Sequence, residues 1–186
     1  MISSKKIYIK AYTRMNFGDD LFVHILCTRY PTVTFYLSGD EKYLQAFKHI
    51  PNLILNADMQ LISVDAIVYI GGSIFIENSK DSVYRVLDLK EEIIKETIPT
   101  YIIGANFGPY LTEKYVDTVK NEILRNAKGV TFRDKYSYEL FKDIPSVSQA
   151  LDVVFSLDTE KYRNKAKKEI GISVIHHLDR QKIKEI

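Results

Sequence analysis

The sequence predicts an α/β fold: a doubly wound, mainly parallel sheet of Rossmann-like layout. Three observations carry that reading. From residue 7 to residue 151, short runs rich in β-branched and aromatic residues alternate with segments of helical periodicity, and parallel neighbours require such crossover helices. All five prolines fall at boundaries between these segments, where a residue without an N–H does least damage. Residues 101–105 (YIIGA) are apolar throughout, as expected of an inner parallel strand covered on both faces.

A first strand over residues 7–12 runs into the loop NFGDD at 16–20. The helix after it carries an apolar stripe of Leu21, Phe22, Ile25 and Leu26. Asp19 and Asp20 in its first turn and Arg29 near its end suit the helix dipole, and Pro31 ends it. Residues 33–37 form a second strand, and the turn Ser38-Gly39-Asp40 leads to a short helix with Tyr43, Leu44 and Phe47. After Pro51 the stretch NLILNADMQLIS supports a short strand and a connection. Residues 65–70 (DAIVYI) make a compact strand ending in Gly71-Gly72-Ser73, and Val83, Val86, Leu87 and Ile93 recur at helical spacing over 81–96. Past Pro99 comes the strand at 101–105. Thr112 caps the next helix, whose buried face holds Val116, Val119 and Ile123. The strand at 129–132 delivers Arg133 and Asp134, and Asp134 caps a helix carrying Tyr136, Leu140 and Phe141. A last short strand over 147–151 leads to Asp152.

At 186 residues the chain can bury a substantial core. Its net charge of +2 comes from interspersed acids and bases, with no basic block of the kind a dedicated nucleic-acid binder presents. The single cysteine, Cys27, excludes an internal disulfide framework, suits a cytoplasmic setting and reads as a packed thiol. The N-terminal MISSKKIYIKAY is too polar for a signal peptide. No apolar stretch is long enough to span a bilayer, which leaves only peripheral membrane association open. The expected organisation is a Rossmann-like domain over 1–157, a charged linker or helix over 158–169, and the start of a second, truncated Rossmann-like domain over 170–186. That last piece opens with the strand GISVI and reaches His176-His177. A strand and a fragment of helix make no domain, so the sequence reads as a piece of a longer protein.

Four βα junctions share one design: NFGDD at 16–20, GGS at 71–73, GANFGP at 104–109 and RD at 133–134. Backbone N–H groups and helix N-termini there are expected to converge on one crevice suited to a phosphate or carboxylate. Candidate binding residues are Asn16, Gly18, Gly71, Gly72, Ser73, Asn106, Gly108 and Arg133, the last a guanidinium fit for bidentate recognition. Each feature also has a plainer structural reading. Asp19 and Asp20 stabilise a helix start, and the glycine pair permits a turn but lacks the spacing of a dinucleotide fingerprint. Arg133 belongs to an ion pair, and His176 and His177 end a strand on opposite faces, so that at most one points into a site. No His, Cys or carboxylate cluster has metal-ligand spacing and no serine sits in a nucleophile elbow, so neither a metal nor a cofactor is expected.

Taken together the motifs resemble those of the polysaccharide pyruvyl transferase family. The resemblance rests on NFGDD after the first strand, DAIVYIGGSIF, YIIGANFGPY, FRDKYSYELF, and Asp152 in ALDVVFSL followed by a new strand at GISVI, all in the family's order. It implies two Rossmann-like domains facing one another in a glycosyltransferase B-like arrangement, with the site between them. It implies transfer of a pyruvyl group from phosphoenolpyruvate, as donor substrate, to two hydroxyls of a sugar, giving a ketal and releasing phosphate. The acceptors it implies are lipid-linked or polymeric sugars of cell-surface polysaccharide assembly, met at the cytoplasmic side. On that reading Asp19 or Asp20 activates the acceptor, Arg133 with the Gly71 and Gly72 amides holds an anionic group, and His176 or His177 delivers the proton. GGS stands where GGG is common in the family, so no role for a third glycine carries over. Two alternatives stay open: a nucleotide-sugar-dependent glycosyltransferase of similar architecture, and a non-catalytic domain of a polysaccharide assembly complex. For this piece alone, little or no activity is expected.

Overall fold

The computed structural model describes residues 4–14, 16–57, 63–79, 81–82, 86, 89–90 and 98–162. Its strands are β1 (Lys6–Lys10), β2 (Thr34–Leu37), β3 (Leu53–Leu55), β4 (Ala66–Ile70), β5 (Thr100–Ala105), β6 (Gly129–Phe132) and β7 (Val147–Gln149). They form one seven-stranded sheet in the order β3-β2-β1-β4-β5-β6-β7, with every pairing parallel. This is the predicted doubly wound α/β architecture. The predicted helix over 81–96 lies mostly outside the described residues. So does everything after residue 162, including most of the predicted linker, the second strand-helix unit over 170–186, and His176 and His177.

Among the described residues, the crossovers include the helices α1 (Phe17–Arg29), α2 (Glu41–Leu44, continued by the 3-10 turn Gln45–Phe47), α3 (Glu113–Thr118, continued by the π-helical turn Val119–Leu124) and α4 (Lys135–Phe141). Each starts at a polar cap: Asn16, Asp40, Thr112 and Asp134 accept from backbone N–H groups two or three residues on. Strand residues alternate between two apolar cores, as a two-residue period dictates when both faces are covered. Tyr8, Tyr36, Ile67, Tyr69, Ile102 and Phe132 join α3 and α4, while Ile9, Phe35, Leu37, Val68 and Ile70 join α1 and α2. Each fully buried Leu, Ile or Phe contributes about 1.5–3 kcal/mol, an upper figure because the unfolded chain already hides some surface.

Two expectations need correction. The buried residues of α1 are Phe22, Val23, Ile25 and Cys27, whereas Leu21 and Leu26 are half-buried. Phe22, Val23 and Cys27 share a core with strand residues of β1, β2 and β4, Leu26 packs only partly against it, and after β7 the 3-10 turn Val153–Ser156 brings Val153 and Val154 against the same core. Tyr101 is 39% exposed, so β5 is not covered on both faces along its whole length. Its ring lies over Gly129, which has no side chain to shield it.

One irregularity in β5 positions the site. Between Ile102 and Ala105 the register with β6 slips. Gly104, at φ +71°, sits within the slip, and its amide is satisfied by Thr131 Oγ1 at 2.9 Å. The slip reverses the facing of the residues beyond it. Ile102 and Ala105 belong to the same core although three residues apart, and Asn106 is delivered to the α1 side.

Candidate active site

The strand order makes β1 and β4 neighbours whose connections leave in opposite directions, the switch point at which open α/β sheets bind ligands. Above their carboxyl ends lies a cleft of about 500 Å³, walled by Lys10, Ala11, Tyr12, Asn16 and Asp19 on one side and by 69–74 on the other. A smaller hollow of about 230 Å³ adjoins it, lined by Asn16, Gly18, Asp19, Phe22, Gly72, Ser73 and Arg133.

Gly72 is the hub of this hollow. Its carbonyl accepts from the Asn106 amide at 2.7 Å. Its N–H acts on the Asp19 carboxylate to lower that acid's pKa. Its Cα faces the Arg133 guanidinium so closely that a Cβ there would lie 2.3 Å from Nη2. The guanidinium is gripped at both ends as well: Nη1 donates to Asp152 Oδ2 at 2.7 Å and Nη2 to Asn106 Oδ1 at 2.9 Å. Asp152 is fixed in turn, since its Oδ1 accepts from the Val154 amide at 3.0 Å and caps the turn that packs on α1.

Burial and the neighbouring Asp20 charge raise the Asp19 pKa above its ordinary value, against the pull of Arg133, the Asn16 side chain and the Gly72 amide. Burial raises Asp20 too, and its Oδ1 is buried without a hydrogen-bond partner among the described residues. Two adjacent carboxyls with raised proton affinity, one of them lining the cleft, suit proton transfer nearer neutrality than a free aspartate allows.

The loops after β4 and β5 are zipped together beyond the sheet. Phe75 and Phe107 form a parallel bridge, Gly108 N–H donates to Phe75 O at 2.7 Å, and Glu77 N–H donates to Pro109 O at 2.9 Å. Glu77 is 3% exposed, and its carboxylate accepts from the amides of Leu111 and Thr112 and from the Thr112 hydroxyl. The Phe107 amide donates to Ser137 Oγ at 2.7 Å, and that hydroxyl donates to Asp134 Oδ2. The rigid cradle of Asn106 is built from these contacts.

A family model described as polysaccharide pyruvyl transferase matches residues 16–185, which takes in the lining of the cleft apart from Lys10, Ala11 and Tyr12. The chain belongs to the polysaccharide pyruvyl transferase family. A curated relative, N-acetyltaurine hydrolase of Danio rerio, is 27% identical over 99 residues, an alignment covering 47% of this chain and 28% of that protein. The chain therefore spans under a third of that relative's length.

In this pyruvyl transferase family member, Asn16, Gly18, Asp19, Gly72, Ser73 and Arg133 meet in the hollow, and Gly71 lines the adjoining cleft. Asn106 reaches the same group through Arg133. Asp20 stands behind Asp19, and Gly108 is bonded into the zipped loops. Of the glycine pair, Gly71 N–H donates to Ile103 O at 3.4 Å, and the Gly72 N–H acts on Asp19 to lower its pKa. Candidate His176 lies outside the described residues. Lys10 and Tyr12 line the cleft but carry no motif that singles them out, while Glu77 reads as an ordinary loop acid. Asp152 is visible within ALDVV, though not as a partner of Arg133. Among the described residues no group of three or more side chains is placed to hold a metal ion. Nor is any helix there long and apolar enough to cross a membrane.

Proposed function

We propose that the chain forms one wall of the active site of a pyruvyltransferase, which moves the pyruvyl group of phosphoenolpyruvate onto two hydroxyls of a sugar. The observation that carries this reading is the Asp19 carboxylate seated on Gly71-Gly72 beside the Arg133 guanidinium, at the switch point of a family member's sheet. In the reaction a proton adds to the methylene carbon, one sugar hydroxyl attacks the central carbon, and a second displaces phosphate. Two C–O bonds form and the bond to the phosphate oxygen breaks. One hydroxyl proton balances the new methyl group and the other leaves with phosphate or solvent.

Asp19 suits the removal of a hydroxyl proton, because desolvation raises its affinity for that proton. Arg133 spends two of its five N–H donors on Asp152 and Asn106, and the guanidinium lines the hollow, where its remaining donors suit an anionic donor substrate. The acceptor we assign is a sugar of cell-surface polysaccharide assembly, met in the cytoplasm, and the opposite wall of the site belongs to a second domain.

The test incubates the natural full-length protein with phosphoenolpyruvate and a panel of sugar acceptors, following phosphate release and the mass of the product. Phosphate released together with a pyruvylated sugar is the expected result. Absence of both across the panel refutes the reading, and release of nucleotide from a nucleotide sugar points to glycosyl transfer instead.

A further inference from the structure

We propose that Asp152, assisted by Asn106, is a positioning residue that holds the Arg133 guanidinium off Asp19 and so leaves Asp19 able to carry a proton. The inference rests on the reading of Asp19 as the proton-transfer group. It begins from an asymmetry in charge. One guanidinium stands between two carboxylates, yet it forms an ion pair only with Asp152, at 2.7 Å, and among the described residues none joins it to Asp19. Asp19 and Arg133 nevertheless occupy neighbouring positions on one dipeptide. A Cβ on Gly71 would lie 3.1 Å from Asp19 Oδ1, and a Cβ on Gly72 would lie 2.3 Å from Arg133 Nη2.

Three elements keep the two groups apart. Asp152 arrives because the chain after β7 turns back toward α1, anchored by Val153 and Val154 in the α1 core. Asn106 arrives because the slip at Gly104 turns it to the α1 side, and its Oδ1 takes Nη2 at 2.9 Å. The Gly71-Gly72 dipeptide lies between, with Gly71 against Asp19 Oδ1 and the Cα of Gly72 against the guanidinium. Released from Asp152 and Asn106, the guanidinium has one nearby carboxylate left to approach, and a closed Arg133–Asp19 pair strongly favours the ionised acid. The charged and titratable groups around Asp19 are Asp20 on its own helix, Arg133 with Asp152 behind it, and Lys10, Tyr12 and Tyr69 along the cleft.

The test is a carbon-13 NMR titration of the Asp19 carboxyl in the full chain, in Asp152→Asn and in Asn106→Ala. Asp152→Asn is expected to move the midpoint down by about one pH unit, through loss of a negative charge and approach of the guanidinium. Asn106→Ala alters no charge, so a smaller shift in the same direction reports movement of Arg133 alone. An unmoved midpoint in Asn106→Ala overturns the proposal, and that variant decides the matter should Asp152→Asn fail to fold. The titration needs no turnover. A shifted Asp19 without phosphoenolpyruvate-dependent phosphate release by the natural full-length protein upholds the positioning role and sinks the functional reading. Phosphate release with an unmoved Asp19 does the reverse.

Discussion

Substituting alanine for Gly72 places a Cβ 2.3 Å from Arg133 Nη2, 2.6 Å from Cζ and 2.8 Å from Nη1. Carbon contacts settle near 3.5 Å, so the guanidinium must retreat by about 1 Å. Its hydrogen bonds to Asp152 and Asn106, 2.7 and 2.9 Å long, then stretch beyond useful range. Hydrogen bonds to charged groups contribute about 1.5–3 kcal/mol when fully buried. Here the Arg133 and Asp152 side chains are 30% and 21% exposed, so about 1 kcal/mol per bond is the fitting figure. A loss of about 2 kcal/mol lowers Tm by roughly 4–8 °C in a chain of this size. On the proposed donor-binding role of Arg133 the effect on turnover of the natural full-length protein is larger, because a binding group displaced by about 1 Å lowers kcat/KM about 100-fold. Calorimetry gives the first quantity, and phosphoenolpyruvate-dependent phosphate release, measured well below both melting temperatures, gives the second. An alanine variant that melts and turns over like the parent refutes both the packing argument and the role of Arg133.

Asp20→Asn removes a carboxyl that burial holds above the ordinary 3.8 and whose Oδ1 lacks a partner among the described residues. A raised folded pKa means that ionisation opposes folding, so the variant should unfold at a higher temperature than the parent at pH 7. The gain should vanish below about pH 3.8, and equal melting at pH 7 counts against the reasoning. Glu77→Gln acts in the opposite sense. Desolvation pushes the Glu77 pKa up, but hydrogen bonds from Leu111 and Thr112 outweigh it and hold the pKa below the ordinary 4.5. The stability this contributes is present above pH 4.5 and is lost as pH falls through the folded value, so the variant's deficit should be largest near neutrality. Amide exchange at Leu111 and Thr112 should quicken, and a deficit independent of pH refutes the assignment.

Much of the fold is legible locally. Asn16, Asp40, Thr112 and Asp134 announce helix starts because a short polar side chain reaches an amide two or three residues on. Cys27 reads as a packed thiol and is one: it is fully buried, and burial pushes its pKa up to about 12. Other features escape such reading because their partners are distant in sequence. The Glu77 carboxylate meets amides 34 and 35 residues away. The turn after β7, whose Val153 and Val154 pack against the α1 core, comes after a strand at the far edge of the sheet.

The stretch YIIGANFGPY shows where the division falls. Its residues are enough to establish an apolar strand ending in a small polar loop at the ligand-binding edge, among three junctions of like character, in a chain with the motifs of the pyruvyl transferase family. Only in the folded chain does Gly104 carry a slip in register, Asn106 therefore face α1, and its side chain share Arg133 with Asp152. Strand and cap preferences act over a few residues and survive any packing of the whole. An ion pair between the ends of separate strands exists only once strand order and register have closed the sheet, and these depend on the chain as a unit.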